Sequence, residues 1–278
     1  MRKRHGRAAV AAEAVMIVLV LMFAFPLYVA VSSAFKSEHQ LDQSPLGLPS
    51  PIHLSNFSQA WSTASIGPAF LSTAIITVAS VFGLVLFGSL AGYVIARRNQ
   101  HLSTAAYYGF LIGLILPPLL ALIPLYNLMR TSHLIGTYWS LILIYIGGQM
   151  PLTVFLFAGF IRSLSPVYED AALVDGAPRW MIYWRIVFPL MRPIVGTVMI
   201  LNAAFIWNDF LNPLLYLAGS NKQTLAVSVY TFVGTYTQQW NLIFAGAVLA
   251  ALPMIGIFLV LQRSFLKSFA GVLAGAHN

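Results

Sequence analysis

The chain contains 278 residues, of which 59% are hydrophobic and 8% are charged. So few charged residues cannot supply the polar surface that a water-soluble protein of this length needs, and we therefore expect an integral membrane protein. The formal net charge of +8 does not indicate a nucleic-acid partner, because the basic residues are spread over several loops and form no stripe interleaved with aromatic residues.

The first predicted element is an apolar run behind a basic N-terminus. Residues 1–11 are predicted to be cytoplasmic and residues 12–34 to form the first transmembrane helix, because the run is longer than the about 7–15 residues of a signal-peptide core. The following residues, 35–68, form the predicted extracytoplasmic loop, whose four prolines disfavour regular structure. Phe57 and Trp61 predict one short helix at the membrane interface. This segment could be a simple anchor or could contact an external binding protein.

Five more apolar runs follow, each long enough for the about 20 residues that a spanning helix needs. They predict helices near residues 69–96, 105–128, 138–161, 193–217 and 242–262. The expected fold is therefore all-α, a polytopic membrane protein with six transmembrane helices. Residues 69–262 form the predicted core transmembrane domain, which contains a cytoplasmic loop at 162–192, and residues 263–278 form a cytoplasmic tail.

The basic residues predict the orientation of these spans. If both termini are cytoplasmic, only Lys36, Arg130 and Lys222 of the 15 Lys and Arg residues lie outside. The other twelve lie inside, as positively charged loops do in membrane proteins. We therefore expect residues 162–192 to face the cytoplasm.

That cytoplasmic loop predicts two short helices. Ser165 can cap the first helix, Pro166 suits its first position, and the carboxylates of Glu169 and Asp170 complement the helix dipole. Gly176 ends this helix by allowing a sharp turn where a side chain would clash. A second helix begins after Pro178 and is predicted to end at Phe188-Pro189, because proline cannot continue the hydrogen-bond ladder.

The spacing of this loop resembles the EAA motif of importer-type ABC transporter permeases: Glu-Ala-Ala, three residues, Gly, nine residues, then Ile-x-Leu-Pro. The matching residues here are Asp170-Ala171-Ala172, Gly176 and Ile186-Val187-Phe188-Pro189. Asp170 replaces the Glu and Phe188 replaces the Leu, and both departures are conservative. Asp175-Gly176-Ala177 and Trp207-Asn208-Asp209 are similar to the carbohydrate branch, which contains the maltose, glycerol-phosphate and trehalose systems.

This resemblance, which spans nearly the whole chain, implies a MetI-like type I importer permease, similar to the second permease of maltose-type systems, in a bacterial cell membrane. The implied partners are a second homologous permease, two ATPase subunits, an extracytoplasmic solute-binding protein or lipoprotein, and a carbohydrate. The chain itself needs no cofactor and is not an enzyme, because ATP and Mg²⁺ are bound by the ATPases. The residues expected to couple to the ATPase are Glu169, Asp170, Ala171, Ala172, Asp175, Gly176, Ile186, Phe188 and Pro189.

Asp209 is the only carboxylate in the interior of a predicted span, where a charge is costly unless it faces water, a partner or the bundle interior. Asn208 and Asp209 could line the translocation cavity or an outer gate, with Trp207 stacking on a pyranose ring. They could equally cap the end of a helix before Pro213, or pair with the other permease.

A second candidate for the substrate path is Gln149, within a predicted break of the fourth span at Gly147–Pro151. Non-helical backbone inside a membrane needs protein or a water-filled cavity around it, although a bend required only for packing explains the same residues. Asn202, about one and a half turns before Asn208, is a third candidate with the same two explanations. Pro117, Pro118, Pro124 and Pro253 predict kinks in other spans.

Two other functional classes are compatible with a membrane protein of this size. An ion-coupled secondary transporter usually carries several buried ionisable groups or paired interrupted helices, whereas this sequence has one such group. A membrane assembly protein would bind partners without transporting anything. Gly-Lys never occurs, so the chain has no phosphate-binding P-loop and an ATP-driven mechanism requires a partner.

Overall fold

The computed structural model describes residues 2–98, 100–234 and 239–275, and those residues contain helices and no strands. The α-helices are α1 (Arg2–Ala34), α2 (Glu38–Gln43), α3 (Ser55–Thr63), α4 (Ile66–Arg97), α5 (His101–Ile115), α6 (Leu122–Thr131), α7 (Tyr138–Ser163), α8 (Val167–Val174), α9 (Arg179–Ile182), α10 (Phe188–Leu190), α11 (Arg192–Asn208), α12 (Leu211–Tyr216), α13 (Leu225–Gly234) and α14 (Trp240–Gly275). A 3₁₀ turn at Pro118–Ala121 precedes α6, and a π-helical turn at Tyr183–Val187 joins α9 to α10.

Three helices in the described residues are long and apolar enough to cross a membrane, at Ala9–Ala34, Ile66–Arg97 and Tyr138–Ser163. Two bent helix pairs raise this number to five if each pair is one span. The sixth predicted span corresponds to the shorter apolar stretch Trp240–Gly256. Each predicted apolar run therefore coincides with an apolar helix or a bent helix pair in the described residues.

The third predicted span is bent by 97° between His101–Ile115 and Pro118–Thr131. Leu116, which precedes Pro117, has extended backbone with φ −66° and ψ 128°. The ring of a proline disfavours helical backbone in the residue before it, and the adjacent Pro118 extends the interruption. The expected kink is thus a complete break of the helix.

The fourth and fifth predicted spans differ from expectation in opposite ways. The predicted break at Gly147–Pro151 is wrong, because α7 is continuous and contains Pro151. Pro151 cannot donate one backbone hydrogen bond of α7. In a membrane, this single loss is less costly than unwinding a segment and exposing all of its backbone polar groups. The fifth span, in contrast, is interrupted, since α11 ends at Asn208 and extended Asp209 separates it from α12.

The chain divides into two compact units, one of residues 1–67 and 228–252 and the other of residues 68–227 and 253–278. In this division, segment 228–252 of the predicted core 69–262 groups with the N-terminal residues. In that first unit, Ser228 Oγ donates to the carbonyl of Ala64 and Asn241 Nδ2 donates to Asn56 Oδ1 at 3.2 Å. These contacts join residues that are far apart in the sequence, so no local sequence pattern predicts them.

Within the first unit, the loop 35–68 is more regular than its prolines predict. The short helix predicted around Phe57 and Trp61 is present as α3, but α2 also forms, with Ser37 and Gln40 making a reciprocal capping box. Burial lowers the pKa of Lys36, and its ammonium group donates to the carbonyls of Ser44 and Pro45 at 3.0 and 2.8 Å. Satisfied polar groups of this kind hold the loop in place.

In the second unit, α4 and α7 approach closely through small residues. A Cβ atom at Gly92 would lie 2.7 Å from Phe157 Cβ and 3.1 Å from the backbone nitrogen of Ala158. Glycine is therefore required at this crossing. Next to it, a cluster of buried residues joins α4 and α7 to the predicted cytoplasmic loop and to α11: Phe157, Ile161, Ile182, Tyr183, Val187, Met191, Ile194 and Val198.

Candidate functional site

The segment with EAA-like spacing begins with α8, which is ended by a glycine turn. Gly176 has φ +79°, its N–H donates to Leu173 O at 3.0 Å, and the N–H of Ala177 donates to Ala172 O at 3.0 Å. These two bonds form a Schellman motif, in which glycine is favoured because of its left-handed backbone. The expected clash is absent, since no atom lies within 4 Å of a Cβ at Gly176. Backbone conformation alone therefore requires glycine here.

The start of α8 differs from the expectation by one position. Pro166 is the N-cap residue and no side chain caps the helix, so the predicted cap by Ser165 is wrong. The carbonyl of Pro166 accepts the N–H groups of Glu169 and Asp170 at 2.8 and 3.0 Å. The first turn is closed by backbone bonds, and both carboxylates lie in it as expected.

Helix α8 has two different faces. Its outer face carries Val167, Ala171 and Val174, of which the two valines are 65% and 88% exposed. Their spacing of i, i+4 and i+7 forms one apolar stripe, the pattern of a helix that binds in a groove. The opposite face carries Ala172, which packs into the buried cluster. Only Ala171 of the two predicted alanines therefore belongs to the open surface.

Glu169 lies on the inner side of α8 and is bonded within the chain. Its Oε1 accepts from Arg97 Nε at 2.7 Å, and its Oε2 accepts from the Tyr93 hydroxyl at 2.8 Å. Arg97 Nη2 also donates to the carbonyl of Leu164 at 3.0 Å. Glu169 is 9% exposed, so its charge is both paired and largely removed from water. We call these three side chains, Tyr93, Arg97 and Glu169, the α4–α8 clamp.

Asp170 and Asp175 are exposed, and Asp175 is the C-cap residue of α8. With the Glu169 carboxylate held by the clamp, Asp170 is the acid in the first turn of α8 that faces outward. Its position in the EAA-like triplet makes it the acidic group available to a partner.

The second half of the segment is less regular than predicted. Helix α9 begins after Pro178 as expected, but a π-helical turn follows, in which Phe188 N–H bonds to Tyr183 O. Pro189 then lies in the first turn of α10, where its missing N–H costs nothing. The predicted end at Phe188-Pro189 is therefore wrong, since α10 extends to Leu190. π-Helical turns are rare and often mark functional sites.

The half-buried residues Ile186 and Phe188 pack against the same buried cluster. The rings of Trp184 and Phe188 are 5.2 Å apart, and the Tyr183 hydroxyl is 2.7 Å from Ser89 Oγ on α4. The Arg179–Leu190 stretch then meets α11 at an angle of 73°. The EAA-like segment is thus connected to α4 at two levels and runs directly into the fifth predicted span.

Asp209 organises the break in the fifth span. Its Oδ2 accepts from the Tyr145 hydroxyl at 2.9 Å and from Asn212 Nδ2 at 2.6 Å, while its Oδ1 accepts from Leu211 N–H at 3.1 Å. The bond from residue i+2 to an aspartate side chain is a common local turn. This geometry favours the helix-end interpretation of Asp209. It accepts the first backbone N–H of α12, and the sequence did not identify Tyr145 as its partner.

The neighbouring candidates are not brought together around a common space. Trp207 is 5% exposed and packs edge-on against Phe70 at 5.8 Å. Asn202 is buried, and its Nδ2 donates to Val198 O and to Thr153 Oγ1 at 2.9 and 3.3 Å. Exposed Asn208 donates to Ala204 O at 2.8 Å, within its own helix. Their observed contacts are structural, and a role in the substrate path stays a prediction.

Mutations at Asp209 test this structural interpretation. We expect Asp209→Ala to lower the apparent unfolding temperature in detergent, because three donors lose their acceptor at a cost of about 1–3 kcal/mol. Asp209→Asn keeps one acceptor oxygen and should cost less, and Asn208→Ala should change little. Both milder variants should transport at near wild-type rates. Loss of transport by a normally folded Asp209→Asn protein would instead assign the carboxylate to the translocation path.

Comparisons with known proteins place this geometry in a family. Residues 85–270 match the family model described as the binding-protein-dependent transport system inner membrane component. The chain belongs to this family. Like the other members, it is a multi-pass membrane permease subunit rather than an enzyme, and ATP hydrolysis occurs in a separate chain. The matched residues include α8 and the π-helical turn.

The permease is similar to a characterised relative and to solved structures. It is 38% identical over 252 residues to the melibiose/raffinose/stachyose import permease protein MelC of Bacillus subtilis, covering 90% of each chain. A bacterial ABC transporter that imports the acidic polysaccharide alginate superposes with a TM-score of 0.83 at 20% identity, covering 94% of this chain and 98% of the other. The alginate transporter in complex with its pentasaccharide-bound periplasmic protein gives 0.68 at 16% identity, covering 94% of each chain. The two structures confirm the ABC importer permease fold.

Proposed function

We propose that this chain is a permease subunit of an ATP-driven importer for a carbohydrate and forms half of the translocation path. The similarity to a melibiose/raffinose/stachyose permease over 90% of both chains supports the substrate class. The observation that carries the proposal is α8, a helix with an uncovered apolar stripe on its outer face and a buried, charge-paired attachment on its inner face. Such a helix is suited to bind a partner and to transmit the partner's movement.

The partner of the outer face is one of two ATPase subunits, which hold ATP and Mg²⁺. The valines at 167 and 174 and Ala171 insert into an ATPase groove, and Asp170 supplies a charge at its rim. A second, homologous permease completes the path, and an extracytoplasmic solute-binding protein or lipoprotein delivers the sugar. A periplasmic protein accompanies the alginate permease in the solved complex, which supports this arrangement.

The proposed site of action is a bacterial cell membrane with both termini in the cytoplasm. Twelve of the 15 Lys and Arg residues then lie on the inner side, as the positive-inside rule requires. The same orientation puts α8 where a cytoplasmic ATPase can bind it.

Coupling follows from the contacts of the segment. Closure of the ATPases moves α8, and the α4–α8 clamp pulls on the cytoplasmic end of α4. The Tyr183–Ser89 contact and the direct connection from α10 to α11 carry the same movement to the second and fifth spans. ATP thereby shifts the permease between inward-open and outward-open arrangements of the same helices.

Purification of the tagged chain in mild detergent tests the proposal. We expect an ATPase and a second permease to co-purify, and the complex reconstituted with its binding protein to import at least one of melibiose, raffinose, stachyose and maltotriose when ATP is supplied inside. Import that needs an ion gradient and no ATP would indicate a secondary transporter. A stable complex that imports none of these sugars would overturn the carbohydrate assignment.

A further inference from the structure

The second unit contains a cavity of about 350 Å³ at the level of the two interrupted spans. One wall is the break between α5 and the 3₁₀ turn, at Leu116–Pro118. A second wall is the middle of α7, and a third comes from Leu211 and Asn212 at the start of α12. No atom of a neighbouring element lies within 4 Å of a Cβ at Gly147 or Gly148. The backbone of α7 at these glycines is therefore accessible from the cavity.

Several polar groups on this cavity lack a partner in the part of the chain that the structure describes. The side chain of half-buried Gln149 makes no hydrogen bond there. Pro151 lacks the N–H that would otherwise bind the carbonyl of Gly147. Asn212 uses its amide nitrogen on Asp209, and its side-chain carbonyl accepts nothing among the described residues. Unpaired polar groups are costly at membrane depth unless they face a water-filled cavity or a polar ligand.

The chemistry of these groups is that of a hydroxyl-rich ligand. The Gln149 amide offers a donor and an acceptor, and the carbonyls at 147 and 212 add acceptors that hydroxyl groups can satisfy. Tyr145, Phe205 and Tyr216 contribute aromatic rings to the wall, and such rings pack against the apolar faces of sugars. Among the described residues that line this cavity none has a charged side chain, so the cavity favours a neutral ligand over a phosphorylated or acidic one.

We propose that this cavity is a substrate subsite for one neutral sugar ring, with Gln149 as its principal hydrogen-bonding residue and Asn212 as its second. The inference rests on the proposed function and extends it, because it assigns substrate contact to this permease as well as to its partner. It also separates Gln149 from the other predicted path residues, since Asn202, Trp207, Asn208 and Asp209 do not line the cavity.

The cysteine-free sequence allows a direct test by single-cysteine labelling. Gln149→Cys and Asn212→Cys are introduced separately into the reconstituted transporter, and the rate of modification of this chain by a charged methanethiosulfonate is measured with and without sugar. The probe sugar is whichever of melibiose, raffinose, stachyose and maltotriose the wild-type complex imports. Phe155→Cys, on α7 but outside the cavity lining, is the matched control.

We expect both cavity cysteines to react, and sugar at ten times its half-saturating concentration to slow the reaction about tenfold by simple occupancy. The control cysteine should be unaffected by sugar. Equal labelling rates with and without sugar, or no labelling at both cavity positions in an importing complex, would overturn the subsite and leave the proposed function intact. If the wild-type complex imports none of the four sugars, the proposed function fails and the subsite fails with it.

Discussion

Gly176→Asp is expected to abolish sugar import while the amount of protein in the membrane stays near the wild-type level. The glycine has φ +79°, a conformation that costs other residues about 1–2 kcal/mol. Apart from its two neighbours in sequence, no described residue has an atom within 4 Å of the new Cβ, so the protein can fold around it. The added carboxylate, however, distorts the Schellman turn and projects beside Asp175 from the end of the helix that we propose binds the ATPase. Uptake of labelled sugar and immunoblots of membranes measure the two quantities.

Gly219→Asp is the matched control for this prediction. Gly219 has φ +76°, and a Cβ at this position would likewise have no atom within 4 Å, but the residue follows α12 on the predicted outer side. Gly219→Asp therefore has the same cost in backbone conformation as Gly176→Asp, but we expect it to leave the coupling of ATP hydrolysis to import unchanged. Gly176→Ala, which adds the strain and no charge, should give partial import. Equal loss of import in the two aspartate variants would refute the coupling role of Gly176, because backbone strain alone would then explain both.

The helix ends in this segment could be predicted because the residues that determine them act locally. Gly176 and Pro178 act on their own backbone, so the end of α8 and the start of α9 could be located from the sequence. The apolar stripe of Val167, Ala171 and Val174 is also a local sequence pattern, with i, i+4 and i+7 spacing. The EAA-like spacing does not single out this stripe, because it marks the two alanines, of which Ala172 faces inward.

Contacts between distant residues could not be predicted in the same way. Glu169 was expected to contact the ATPase, yet 72 positions separate it from its partner Arg97, and no spacing rule links them. Similarly, Asp209 and Tyr145 are 64 positions apart. Prolines gave the location of interruptions but not their extent, since Pro117 accompanies a 97° bend whereas Pro151 leaves α7 continuous. Whether a proline breaks a helix depends on neighbouring helices.

Breaking the α4–α8 clamp is expected to uncouple ATP hydrolysis from transport. Arg97→Ala leaves the Glu169 carboxylate, which is 9% exposed, without its counter-charge, and loss of one partner of a buried pair costs about 3–5 kcal/mol. Glu169→Gln removes the charge but retains a hydrogen-bonding group, so its effect should be smaller. In both variants the outer face of α8 still binds the ATPase, while α4 no longer follows it. We expect import to fall about tenfold in Arg97→Ala, the factor that corresponds to ~1.4 kcal/mol of lost positioning energy.

The ratio of sugar imported to ATP hydrolysed in proteoliposomes distinguishes positioning from simple destabilisation. A positioning role predicts that the ratio falls while ATPase activity and co-purification of the ATPase persist. Arg98→Ala is the control, because this exposed neighbour forms no ion pair in the described structure. The exchange Arg97→Glu with Glu169→Arg should recover part of the ratio, since it restores opposite charges, although the Tyr93 hydroxyl then loses its carboxylate acceptor. If import and ATPase activity fall together in every variant, the clamp stabilises the fold without transmitting movement, and coupling must pass through Tyr183 and the π-helical turn.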